Sequence, residues 1–205
     1  MKLQIAVVLL FSFLFLFVDL QAQKANEVSH NRHSYGSIGY ADSINSGTIA
    51  KDTMKGSVHR TTMVTIKNCH IHIEYGSPGV KNRVIWGGLV PYDEVWVTGA
   101  HSATSVSFSK AVRIGGKTIE AGTYALFTIP GKNKWIVIFN TNVKQHLADD
   151  YKQSEDLLRI ELNAIPHSMT QRLTYAVEQS NDKGGVIKIL WEKLEIALPF
   201  EVAGT

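Results

Sequence analysis

The feature that most constrains this chain is a succession of short segments, beginning near Val58, in which apolar and polar residues alternate between glycine and proline turns. The clearest is Cys69-His70-Ile71-His72-Ile73-Glu74-Tyr75. Successive side chains of a strand point to opposite faces, so His70, His72 and Glu74 share one face and Cys69, Ile71, Ile73 and Tyr75 the other. Residues 61–66, 84–90, 95–98 and 104–108 read as further β-rich pieces. Residues 111–119 form a hairpin around Gly115-Gly116, a pair that supplies the positive φ of a two-residue turn. Residues 123–129 and 135–140 flank Pro130-Gly131 as a second hairpin, with Trp135, Val137 and Phe139 on one face. Residues 158–162, 173–177, 186–191 and 194–200 complete the set, and only 143–154 has a helical texture. Many short strands without βαβ alternation predict an all-β domain over residues 58–203. The expected architecture is an antiparallel β-sandwich, jelly-roll-like, of about 8–11 strands with one short helical segment.

A lone cysteine, Cys69, allows no intramolecular disulfide, so the domain must rest on its core. An apolar share of 44% supplies one and excludes wholesale disorder. The net charge of +3 and the lack of a basic tract argue against a nucleic-acid partner. At the other end of the chain, Lys2 precedes an apolar run from Ile5 to Val18, and small and polar residues follow at Gln21-Ala22-Gln23. This is the layout of a cleaved signal peptide over residues 1–23. The run is shorter than the roughly 20 residues of a spanning helix, so stable membrane insertion after cleavage is not expected. The destination is the periplasm or the extracellular space. Residues 24–57, rich in Ser, Gly, Asn and Asp, read as a flexible leader.

Two imidazoles at i and i+2 on a strand lie about 6–7 Å apart at Cα and can reach one metal ion. His70 and His72 form such a pair, with further ligands expected from His101 and His146. Neutral imidazoles without a thiolate favour Zn or Cu over harder ions. Three protein ligands would leave a position open for metal-assisted hydrolysis or redox chemistry. The competing reading of the face is an ordinary solvated strand. Other chemistries lack their residues. No G-x-S-x-G elbow is present, Gly87-Gly88 and Gly115-Gly116 are turn glycines, and Asp149-Asp150 lacks the alternating ligands of a calcium loop.

The densest stretch runs from Tyr75-Gly-Ser-Pro-Gly through Arg83-Val-Ile-Trp-Gly-Gly-Leu-Val-Pro-Tyr92 to Trp96-Val-Thr-Gly-Ala-His-Ser-Ala-Thr104. With Ala121-Gly-Thr-Tyr-Ala-Leu-Phe-Thr-Ile-Pro-Gly131 and Trp135-Ile-Val-Ile-Phe-Asn140, it resembles a family of secreted bacterial proteins, domain of unknown function 2911, over about residues 57–201. The resemblance implies an exported β-rich domain and a Gram-negative, Bacteroidetes-type host, but no mechanism. The family pattern W-R-T-G-A-N-E-A-T has Val97 in place of its arginine and His101 in place of its asparagine. A second pattern, N-Q-W-G, corresponds to Lys144-Gln145-His146-Leu147, with His146 in place of tryptophan.

Aromatic residues allow a second function. Trp86, Tyr92, Trp96, Tyr124 and Phe127 read either as core or as a platform for a sugar or other small ligand, with Thr98 a further contact, beside which Arg83 would grip a carboxylate or sulfate. Local pairing of Arg83 with Asp93 is the alternative for that side chain. Two functions follow: an exported protein with a Zn or Cu site, or a metal-free binding module for an extracellular small molecule or glycan.

Overall fold

The computed structural model describes residues 39–204. The expected signal peptide, residues 1–23, and the leader as far as residue 38 lie outside the described residues.

The all-β class holds. Nine antiparallel strands are hydrogen-bonded in the order β1-β2-β3-β6-β7-β8-β9-β4-β5. They are β1 (Val58–Ile66), β2 (Cys69–Ser77), β3 (Thr104–Phe108), β4 (Val112–Ile114), β5 (Lys117–Ile119), β6 (Gly122–Pro130), β7 (Lys134–Asn140), β8 (Asp156–Gln179) and β9 (Gly184–Val202). Alternation decides their faces: along β2, Cys69, Ile71, Ile73 and Tyr75 are buried, whereas His70 and Glu74 are exposed and His72 half-buried. Gly115 and Gly116 carry φ of 56° and 82°, and the β4–β5 hairpin closes on them as expected.

The nine strands form one continuous hydrogen-bonded order that curves back on itself. The distal half of β8 lies against β1 and β2: Thr62 Oγ1 donates to Tyr175 O at 3.0 Å, and Tyr175 N donates to Tyr75 Oη at 3.2 Å. This curvature comes from β8 and β9, which span 24 and 19 residues. The segments 158–162 and 173–177 are parts of one bent strand, as are 186–191 and 194–200. Register shifts between Pro166 and Thr170 and between Thr170 and Thr174 make the corner. A proline without an N–H and a bulge both bend a ladder without ending it. Opposite the corner, Glu192 pairs with Thr170 and adopts a φ of 54°.

Three expectations are corrected. Residues 84–90 form consecutive tight turns, because Gly87 takes a φ of 76° and Val90 N bonds back to Ile85 O at 2.9 Å. Residues 95–98 contribute only a single bridge, Trp96 to Thr128. Residues 143–154 hold no α-helix; Gln153–Glu155 is a 3-10 turn, and His146 bridges to Ser102.

The short helix lies instead at α1 (Tyr40–Asn45), within the stretch that composition assigns to the leader. Residues 40–57 are fastened to the β-domain by Arg172, which is fully buried. Its Nη2 meets Asp52 Oδ1 at 2.8 Å, its Nη1 donates to Ser77 O at 3.0 Å, and its guanidinium lies 5.2 Å from the Tyr40 ring centre. The Asn45 side chain accepts from Arg172 N at 2.7 Å and donates to Arg172 O at 3.0 Å. A polar composition hid this packing because its partners are polar: a buried arginine needs a carboxylate and carbonyls, not apolar neighbours.

Candidate functional site

The protein's four tryptophans form one cluster. Trp86 packs edge-on against Trp135 and Trp191, with ring centres 4.7 and 5.6 Å apart. Trp96 stacks on Trp191 at 5.6 Å with 21° between their planes. Trp135 and Trp191 are almost wholly buried, and Trp191 Nε1 has no acceptor among the described residues. Such geometry adds roughly 0.5–1.5 kcal/mol per pair beyond area burial.

Above this cluster opens a cleft of about 380 Å³, within the size range of small-molecule sites. Trp96 and Trp191 line it, with Lys81 and Arg83 from the turns after β2, Val97, Gly99 and His101 from the loop before β3, and Leu147 beyond β7. Local hydrogen bonds shape each wall. The Trp96 indole donates to Gly99 O at 3.1 Å, and Leu147 N donates to His101 O at 2.7 Å. Lys81 Nζ donates to Met54 O, so the segment before β1 closes one side. Gly76 is required at the neighbouring crossing, since a Cβ there would strike the carbonyl oxygen of Ala100.

Backbone strain gathers at this place. Lys81, His101 and Leu147, all lining the cleft, have φ of 48°, 71° and 54°. Thr98, between the lining residues Val97 and Gly99, has a φ of 52° although it is β-branched. Left-handed backbone at residues other than glycine costs on the order of 1–3 kcal/mol each and persists where surrounding structure imposes it. At Thr98 the imposing contacts are visible: its Oγ1 donates to Thr128 Oγ1 at 3.0 Å, and its carbonyl accepts from Tyr175 Oη at 2.8 Å. Burial lifts the Tyr175 hydroxyl well above its usual pKa, so it stays a donor.

The residues expected from sequence divide. Arg83 and Trp96 line the cleft. Trp86 lies behind it in the tryptophan cluster, Tyr92 packs beside Gly87, and Thr98 is buried. Arg83 does not pair with Asp93. Its Nε donates to Val80 O at 3.3 Å and its Nη2 to Gly79 O.

The histidines fall into two pairs, His70 with His72 on β2 and His101 beside His146. His70 and His72 share the outward face of β2, where His72 Nε2 lies 3.4 Å from Glu74 Oε1 and His70 Nδ1 lies 3.2 Å from Thr65 Oγ1. His101 follows Ala100, which adjoins Gly76; His72 lies four positions along the strand from Gly76, about 13 Å at strand rise. His146 is exposed, next to His101 in the backbone pairing. Among the described residues no group of three or more His, Cys, Asp or Glu side chains is placed to hold one metal ion. His101 instead borders both this cleft and another of about 280 Å³ that His59 and Glu74 also line.

Sequence reasoning missed Lys81, Leu147 and Trp191 as cleft residues. Trp191 carried a usable signal, for it ends an apolar run at the point where Glu192 and Lys193 interrupt the strand pattern.

The profile of one family, described as Protein of unknown function (DUF2911), matches residues 57–200. No curated protein and no solved structure shows a significant match.

Proposed function

The chain belongs to the DUF2911 family, whose description assigns no activity, and from the cleft alone we propose a metal-free binding module for a small molecule, working in the periplasm or outside the cell. The observation that carries this reading is convergence. The turns at 78–90 and the loop at 96–104 lie within a few residues of each other, the segment at 144–147 comes from about forty residues further on, and all three are irregular in backbone. They meet around one opening floored by Trp96 and Trp191. Strain at Lys81, Thr98, His101 and Leu147 supports the same place, because left-handed backbone clusters at ligand sites. The signal-like residues 1–23 support the location.

A zinc or copper site at His70, His72, His101 and His146 is the competing reading. Metal analysis of protein purified without chelators separates the two.

The direct test is a fragment screen read by amide chemical shifts. Hits should perturb Gly99, Ala100, His101 and Leu147 together, and Leu89→Trp, which fills the mouth, should abolish them. Shifts scattered over the sheet, or hits indifferent to Leu89→Trp, would overturn the proposal.

A further inference from the structure

We infer that the cleft selects a small apolar acid, a molecule with a flat hydrocarbon body and one carboxylate, and that Arg83 is the group that selects it. This rests on the cleft being a binding site, as proposed above. The argument begins with what the lining lacks. None of the residues around the cleft is Asp, Glu, Asn or Gln. A cation needs a carboxylate, which the lining lacks, and a polyol would find only the Ser57 hydroxyl and the His101 imidazole as side-chain acceptors.

Two of the donors, by contrast, are cationic. Arg83 and Lys81 stand at the wall, and His101 adds an imidazole. The two carbonyl bonds from Arg83 Nε and Nη2 fix the plane of its guanidinium. Its Nη1 donates to no described residue, and no described carboxylate pairs with it. A planar donor held in place and lacking an anion is suited to a carboxylate, which it can meet through more than one N–H. Lys81 is less available, because it donates to Met54 O and shares the neighbourhood of Asp52. Asp52 itself is engaged by Arg172 and by the Tyr40 hydroxyl.

The body of the ligand is read from the remaining surface. Trp96 and the almost wholly buried Trp191 line the cleft, and its edge exposes Leu89 at 44% and Leu147 at 40%. Val84, 74% exposed, adjoins Gly88 next to Leu89. Single exposed apolar side chains need no explanation, but two at one opening beside an indole, with a third next to them at Val84, mark an apolar contact.

The experiment titrates the protein with 2-naphthoate and with its uncharged isostere 2-naphthamide by calorimetry, with tryptophan fluorescence as a second readout. The acid should bind about tenfold tighter or better, the range a charge-assisted contact provides. Arg83→Gln should bring the ratio close to one while keeping amide binding, and Arg83→Lys should restore part of it. Leu89→Asp should weaken both probes. Equal affinities in the unaltered protein would overturn the acid preference and leave the cleft as a site. A ratio that survives Arg83→Gln would overturn the role of Arg83. Binding of neither probe, or binding untouched by Leu89→Asp, would overturn this inference and the proposed function together.

Discussion

The outward face of β2 and the cleft before β3 are neighbours along one strand, yet they are built by opposite means. On β2, strict alternation puts His70, His72 and Glu74 on one side, and the backbone there is ordinary. Around the cleft no period exists; turns, left-handed residues and a buried threonine bring Lys81, Arg83, Trp96 and His101 to one opening. Regular strands decide which way a side chain points. Convergence of groups from distant positions is the work of the irregular segments, as in most proteins that carry function on loops.

That contrast is breakable. The largest effect expected is from Trp191→Ala, which removes one of four clustered indoles and opens a void beside the other three: a loss of about 3–5 kcal/mol in chemical denaturation, together with loss of probe binding. His72→Ala, on the regular face, should change stability by no more than about 0.5 kcal/mol and leave binding intact. Similar losses for the two variants would erase the distinction.

Next comes Asp52→Ala. It leaves the fully buried Arg172 without its carboxylate, and should cost about 3 kcal/mol or more and loosen the cleft wall near Gly56. The same pair sets an acid limit. Burial pushes the Asp52 carboxyl up, but hydrogen bonds from Arg172 and Tyr40 and the charges of Arg172 and Lys81 outweigh it, so its pKa falls below the ordinary 3.8. A lowered folded-state pKa stabilises above the unfolded value and is lost as pH falls through the folded one. Stability measured downward from about pH 4 should therefore fall more steeply in the unaltered protein than in Asp52→Asn. Parallel curves would refute it.

The smallest effect concerns metal. Added zinc or copper should leave the melting temperature of the described domain unchanged, with or without His101→Asn. A stoichiometric ion that raises it, and a rise that His101→Asn removes, would turn the comparison around.

How far the sequence carried these results follows the same division. The faces of β2 and the β4–β5 turn were legible, because alternation and a glycine pair are local signals. The union of 158–162 with 173–177 was not: Pro166 to Thr170 interrupt the alternation between them, and only pairing with β9 keeps the strand going. Residues 84–90 look like a strand by composition, but Gly87 at positive φ folds them into turns. In the site, Arg83 and Trp96 were legible from their dense surroundings. Lys81 and Leu147 were not, since neither residue type marks a site until the chain folds. Residues 40–57 were hidden for a related reason, as the arginine that fastens them lies more than a hundred positions away.

The place of β9 in the strand order has a consequence for how the molecule is made. This strand, the last of the nine, sits between β8 and β4, so the small β4–β5 hairpin has no neighbour in the sheet until residues near Val202 arrive to pair with Val112. Synthesis thus delivers two-thirds of the ladder before the piece that joins its far end. Assembly must wait on contacts about ninety residues apart, and a topology so dominated by distant pairings belongs among slow folders, on the scale of milliseconds to seconds. During that wait the β4 edge stands open, and the final strand is what shields it.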